Sequence, residues 1–204
     1  FMQGRLQAAA EPEGGAKLYI SRAQLNAQRG GVLGESVIEA HMARAGYEVF
    51  YPEKHPVAVQ IARYRAARQI VALDGSALHL VAYVAAPDTK IAMILRRSRA
   101  NVADYLLQFR SFCGIEPAVI DVIRNDWVSG GTNRVDFRSV GEIDFAALFK
   151  ALKAQGFLPR NFRTSLPDAV AIADMLAAFQ DRRGRDAMRA LRSGERHLDA
   201  AEEQ

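Results

Sequence analysis

Cysteine is nearly absent: Cys113 is the one thiol in 204 residues. No internal disulfide can form, so the fold must rest on its core, and the chain suits a reducing compartment. A single Cys on an apolar helix face reads as a core residue. Histidine is scarce as well. His41, His55, His79 and His197 fall on different elements. No metal-ligand spacing appears, and no Ser/His/Asp arrangement can be argued. No apolar run reaches the roughly 18 residues of a membrane span. The opening Phe1-Met2-Gln3-Gly4-Arg5 lacks the basic-then-apolar layout of a signal peptide. It also lacks an ordinary initiator start, so the chain reads as a piece of something longer. Charge of one sign is in small excess, +4 by formal count. Much of that excess is Arg182, Arg183, Arg185, Arg189, Arg192 and Arg196, with Asp181, Asp186 and Glu195 among them. The plain reading is a solvated helix face; the alternative is a surface for an anionic membrane or an acidic polymer. Aromatics are not interleaved with the arginines, which argues against nucleic acid as a partner. The expected location is the cytoplasm or the membrane periphery.

Half the residues are apolar and a quarter charged, enough for a sizeable core. Residues 1–15 are rich in Ala, Gly and Glu without periodicity and read as a linker or a remnant of a preceding domain. From Lys17 strands and helices alternate. Strands are expected at Lys17–Ile20, Tyr47–Tyr51, Gln69–Leu73, Lys90–Leu95 and Ala118–Ile123. A capping box, Ser36-Val37-Ile38-Glu39, opens a helix with Ile38, Met42 and Ala45 on one face, closed by Gly46. Pro56 suits the first turn of a second helix carrying Val57, Ile61 and Tyr64. Ala77–Ala85 is a short apolar helix. Asn101 caps another, with Val102, Tyr105, Leu106, Phe109 and Cys113 inward. Asn125–Arg134 reads as a loop and Val135–Arg138 as a brief strand. Phe145, Leu148, Phe149 and Leu152 mark a helix stopped by Gly156. Ser165–Asp168 opens a long final helix with Ile172, Met175, Leu176 and Phe179 inward. The pattern predicts an α/β protein with a parallel, Rossmann-like or flavodoxin-like sheet and helices on both faces. The α/β domain spans 16–160, and 161–204 forms a helical extension.

Parallel sheets bind ligands outside the carboxyl ends of their strands, where the strand order reverses. Three unusual groups fall at such ends: Ser21-Arg22, Asp74-Gly75-Ser76 and Arg96-Arg97. The order 2-1-3-4-5 puts the first two on one crevice; the order 3-2-1-4-5 pairs Arg22 with Arg96 instead. The first is preferred because it gathers the unusual residues. Gly75 is expected to turn the chain with positive φ. The N–H groups of Ser76, Ala77 and Leu78 would then point outward, a helix start suited to phosphate. Arg22 could clamp a diphosphate with its planar fork. The plain alternatives are a turn with an N-cap at Gly75-Ser76, a satisfied core histidine at His79, and an Asp74 bonded to its own turn.

The segments Lys17-Leu18-Tyr19-Ile20-Ser21-Arg22, Glu35, Ala45-Gly46-Tyr47-Glu48-Val49 and Tyr51-Pro52-Glu53 come in a telling order. Val59-Gln60-Ile61, Ala67-Arg68-Gln69-Ile70-Val71 and Asp74-Gly75-Ser76-Ala77-Leu78 follow. Together they resemble glycosyltransferase family 61, the capsular polysaccharide biosynthesis protein-like group. The likeness is good over about residues 16–97. The family pattern runs YISR, asparagine-glutamate, GfEv-x-xPE, a helical glutamine, then HGAGL with a following asparagine. Here Gly34 replaces the asparagine before Glu35, Asp74 the histidine, and Ser76-Ala77 the Ala-Gly. Leu80 stands in place of the later asparagine, with His79 beside it.

The resemblance implies the carboxyl-terminal, nucleotide-sugar-binding lobe of a two-lobed GT-B enzyme. It implies inverting transfer from a nucleotide-sugar donor to a polysaccharide or glycan acceptor in bacterial surface polysaccharide assembly, with no other cofactor. An amino-terminal lobe or membrane-associated assembly machinery would be the partner. By position Arg22 would contact the diphosphate, and Arg96 and Arg97 would add positive charge near the mouth. Gly75, Ser76 and Ala77 would form the phosphate-facing turn, with Glu35, Asp74 and His79 around the same crevice. No general base is visible. The alternatives are a non-catalytic binding module of the same lineage, or an unrelated flavodoxin-like protein with Asp74 as phosphoacceptor.

Overall fold

The computed structural model describes residues 10–26, 28–98, 100–184 and 188–191. Its centre is a five-stranded parallel sheet. The strands are β1 (Lys17–Ile20), β2 (Glu48–Phe50), β3 (Gln69–Leu73), β4 (Lys90–Ile94) and β5 (Ala118–Ile120). Their spatial order is β2-β1-β3-β4-β5, the order that brings the ends of β1 and β3 together. Helices α1 (Glu35–Arg44), α2 (Val57–Ala66), α3 (Ala77–Val84) and α4 (Val102–Cys113) connect successive strands.

The strands are almost wholly apolar because both sheet faces are covered, as parallel sheets require. Side chains alternate between the two faces. Leu18, Ile20, Ile70, Ala72, Ile91 and Met93 share one core cluster with Ile61, Leu78, Val81 and Phe109, from α2, α3 and α4. Tyr19, Val71, Leu73, Ala92 and Ile94 lie in the other. There they meet Ile38 and Met42 of α1 and Leu148, Phe149 and Leu152 of α5 (Phe145–Ala154). Cys113 is buried, as its apolar helix position implied.

Helix α1 does not begin at a capping box. Its N-cap is Gly34, left-handed at φ 71°, and no side chain caps it; Ser36 already lies inside the helix. Glycine adopts this backbone conformation without steric cost. Asn101 likewise precedes α4 without capping it, and its amide turns to Asp104. On α4 only Phe109 and Cys113 are fully buried, while Val102, Tyr105 and Leu106 are partly so.

A second, antiparallel sheet follows, in the order β7-β6-β8. It comprises β6 (Ile123–Ser129), β7 (Val140–Ile143) and β8 (Met188–Ala190). Much of the expected loop 125–134 is therefore strand, and the expected strand Val135–Arg138 is a loop. There Asp136 accepts from Arg138 N at 2.8 Å, and such local bonds divert a chain from a ladder. The long helix α6 (Ala169–Arg183) is capped by the Asp168 carboxylate on Ala171 N at 2.8 Å. Leu176 and Phe179 pack on Leu33, Val140 and Met188, and Met175 fills the space beside Gly34. Among the described residues beyond 160, α6 packs on Leu33 and Val140 and β8 joins the second sheet. Arg183, expected on a solvated face, is 4% exposed and donates to Arg138 O. Arg185, Arg192 and Arg196 fall outside the described residues. No helix among the described residues is long and apolar enough to cross a membrane.

Candidate functional site

Strand order reverses between β1 and β3, and a crevice of about 330 Å³ opens at their carboxyl ends. Arg22, Gly75, Ser76 and Ala77 line it, with Pro52, Glu53 and Gln60 at the far wall. Four of the eight residues singled out in the sequence therefore meet here. The others have different duties.

Arg22 leaves β1 and folds back over the turn after β3. Its Nε and Nη2 donate to Gly30 O at 3.3 and 3.1 Å. Nη1 has no protein acceptor among the described residues and lies against Gly75, 2.5 Å from where a Cβ would stand. Gly75 does not have positive φ, contrary to expectation. A side chain there would displace the Arg22 guanidinium, which occupies the space.

The N–H of Leu78 is also not free: it donates to Gly75 O at 3.0 Å in a tight first turn. The N–H groups of Gly75, Ser76 and Ala77 are the ones without a protein acceptor among the described residues. An arginine Nη and three backbone donors thus share one wall. Burial pulls the Arg22 guanidinium down from its usual pKa, opposed by Glu35 and Asp74.

Asp74 faces away from this wall. It is 1% exposed and accepts from Arg96 N at 2.7 Å, with Arg96 Nε 3.5 Å from its second oxygen. Arg96 Nε also donates to Asp74 O at 2.9 Å, and Nη1 to Phe137 O at 3.2 Å. The pair ties β3, β4 and the loop before β7 together. Burial depresses the Arg96 guanidinium to about 10, so it stays charged at neutral pH. Neither Asp74's own turn nor Arg22 is its partner, and neither Asp74 nor Arg96 lines the crevice. A carboxylate facing the donor-lined wall would repel any anion there; Asp74 is instead paired with Arg96. That pairing also occupies the carboxylate that a phosphoacceptor role would need.

His79 is not a core histidine. It is exposed on α3, stacked on Tyr105 at 4.8 Å between ring centres and bonded to Gln108. It sits outside the crevice lining.

Glu35 lies behind Arg22 rather than in the crevice. It opens α1, is 5% exposed, and gathers the strand end through one oxygen. Oε1 accepts from Arg22 N at 2.8 Å and Tyr19 OH at 3.0 Å. Ser21 Oγ donates to Glu39 at 2.6 Å and stands 3.4 Å from Glu35. The Tyr-Ile-Ser-Arg run and the glutamate are therefore one hydrogen-bonded unit. Burial raises the Glu35 carboxyl to about 7, with Glu39 adding to the rise; the bonds from Arg22 N and Tyr19 oppose it.

Glu35 also borders a second cavity, of about 570 Å³, on the other side of Arg22. Loop residues Arg29–Gly34 and the α6 side chains Met175, Phe179 and Arg182 enclose it.

Sequence reasoning passed over Gly30, whose carbonyl holds Arg22, and the bonding role of Tyr19 and Ser21. Tyr19 and Ser21 lie inside the recognised motif and could have been found from it; Gly30 had no signal. Gln60 staples the 3₁₀ turn Pro52–Lys54, donating to Pro52 O at 2.9 Å and His55 O at 3.0 Å. Among the described residues no group of three or more His, Cys, Asp and Glu is placed to hold a metal ion.

A five-stranded parallel sheet flanked by helices, with a crevice at its switch point, defines a Rossmann-like fold. The family model Glycosyltransferase 61 matches residues 2–92, which contain every residue lining the crevice. That segment is similar to the glycosyltransferase 61 family. No curated protein matches the chain.

Proposed function

We propose that the crevice binds a nucleotide-sugar and that the protein is an inverting glycosyltransferase of bacterial capsular or surface polysaccharide assembly. The carrying observation is the convergence on one crevice wall of Arg22 Nη1 and the N–H groups of Gly75, Ser76 and Ala77, none with an acceptor among the described residues. Such donors at a helix start suit a diphosphate. In the transfer the leaving diphosphate gains charge, and fixed donors at that point lower the barrier. Glu53 and Gln60, across the crevice, stand where a ribose or sugar hydroxyl would reach. Asp74, Arg96 and His79 carry supporting roles around the site rather than ligand contacts. The acceptor is a glycan, and the setting is cytoplasmic, at the membrane periphery, with an amino-terminal lobe or assembly machinery as partner.

The test is a thermal-shift screen of the full chain against UDP, GDP, CMP and dTDP and their sugars. One nucleotide class should stabilise the protein, by roughly 2.7 kcal/mol at 100 times its Kd. No shift with any of them would refute the reading.

A further inference from the structure

The second cavity and the carboxyl that borders it have no part in holding a diphosphate. Glu35 commits one oxygen to Tyr19 and Arg22 N. The other, Oε2, has no partner among the described residues and lies 4.0 Å from where a Cβ on Gly31 would stand. Gly31 and Glu35 both line the cavity. The acid is thus anchored through one oxygen and presents the other to a space that can hold a substrate group. The only side chain shared by this cavity and the crevice, apart from Leu25, is Arg22. A diphosphate on the guanidinium would have its sugar at the boundary of the two spaces. A single displacement needs attacking and leaving oxygens on opposite sides of the anomeric carbon, and Arg22 lines both spaces that would hold them.

Resting on the nucleotide-sugar reading, we propose that Glu35 is the general base of the transfer and that the cavity beneath α6 receives the acceptor hydroxyl. The hydroxyl proton passes to Glu35 Oε2 while the acceptor oxygen bonds to the anomeric carbon. The bond from that carbon to the phosphate oxygen breaks, and its electron pair leaves on the nucleoside diphosphate, met by Arg22 and the N–H groups of Ser76 and Ala77. The charged and titratable groups facing Glu35 are Tyr19 on β1, Arg22 after it and Glu39 on the same helix. Tyr51 adds a weaker influence, and Arg29, Asp181 and Arg182 line the cavity further out. A base works best with a pKa near the working pH, and burial brings this carboxyl to about 7.

The experiment measures nucleoside diphosphate released by the full chain from UDP-, GDP- and dTDP-linked hexoses, with water or free hexose as acceptor. Wild type, Glu35→Gln and Glu35→Asp are compared from pH 5.5 to 8.5, and nucleotide binding of each is read by thermal shift. Glu35→Gln should retain nucleotide binding within about threefold and lose release by about 100-fold or more, the scale of general-base catalysis. Glu35→Asp should recover part of it. The wild-type rate should climb with pH and level off above about 7. A Glu35→Gln rate within threefold of wild type would overturn the proposal, as would a flat wild-type profile or no release from any donor. Wild-type nucleotide binding is scored separately, so the crevice reading stands or falls on its own result.

Discussion

Replacing Glu35 by glutamine should remove a specific pH dependence of stability. The folded protein holds the Glu35 carboxyl at about 7, against 4.5 for the free side chain, chiefly through burial. Between those values the folded chain keeps a proton that the unfolded chain releases. Raising the pH therefore favours unfolding, and stability present below about 4.5 is lost as pH rises through about 7. Each pH unit of that window is worth about 1.4 kcal/mol, so the full swing is roughly 3 kcal/mol. Glutamine keeps an oxygen for Tyr19 and Arg22 N but does not titrate. The assay is urea unfolding of wild type and Glu35→Gln at half-unit steps from pH 4 to 8.5. The stability difference should change by roughly 3 kcal/mol in favour of the glutamine variant as pH rises, or about 1 M in urea midpoint. Two curves that run parallel within about 0.5 kcal/mol would refute the buried, proton-holding carboxyl.

Two other substitutions separate structure from ligand contact. Gly75→Ala places a methyl against the movable end of Arg22 without backbone strain. It should cost less than about 1 kcal/mol of stability, yet weaken nucleotide binding by about tenfold or more in a titration, because the guanidinium must leave its place. Asp74→Asn leaves the buried Arg96 without its counter-charge. Losing one partner of a buried pair costs about 3 kcal/mol or more, which calorimetry should register as a melting point roughly 10 °C lower.

The parallel sheet was legible because its strands are short, apolar runs set between helices of distinct periodicity; Lys17–Ile20 and Gln69–Leu73 fall where the alternation put them. The strand order was legible because one order alone brings Arg22 to Gly75. The second sheet was not. β6 reads Ile-Arg-Asn-Asp-Trp-Val-Ser, and one oxygen of its buried Asp126 accepts from Ser98 N at 3.0 Å, a contact from a distant loop. A buried acid in a strand looks like a turn residue until its partner is known. Asp74 misled in the same way, since local bonding is the usual fate of such an acid and its true partner lies at the end of the next strand. The roles of Ser36 and Leu78 turned on a left-handed Gly34 and a tight first turn, both backbone details that composition does not encode. Glu35 was assigned to the crevice, but the path of the loop 29–34 puts it behind Arg22.

The central claim is that Arg22 and the turn after β3 hold a nucleoside diphosphate. Calorimetric titration of the nucleotide selected by the thermal-shift screen into wild type, Arg22→Ala and the surface control Arg110→Ala tests it most directly. Arg110 pairs with Glu116 at an exposed site. A charge-assisted hydrogen bond is worth about 1.5–3 kcal/mol, so Arg22→Ala should weaken binding by about 10- to 100-fold while Arg110→Ala leaves it unchanged. Equal affinity of wild type and Arg22→Ala, or no binding by either, would contradict the account.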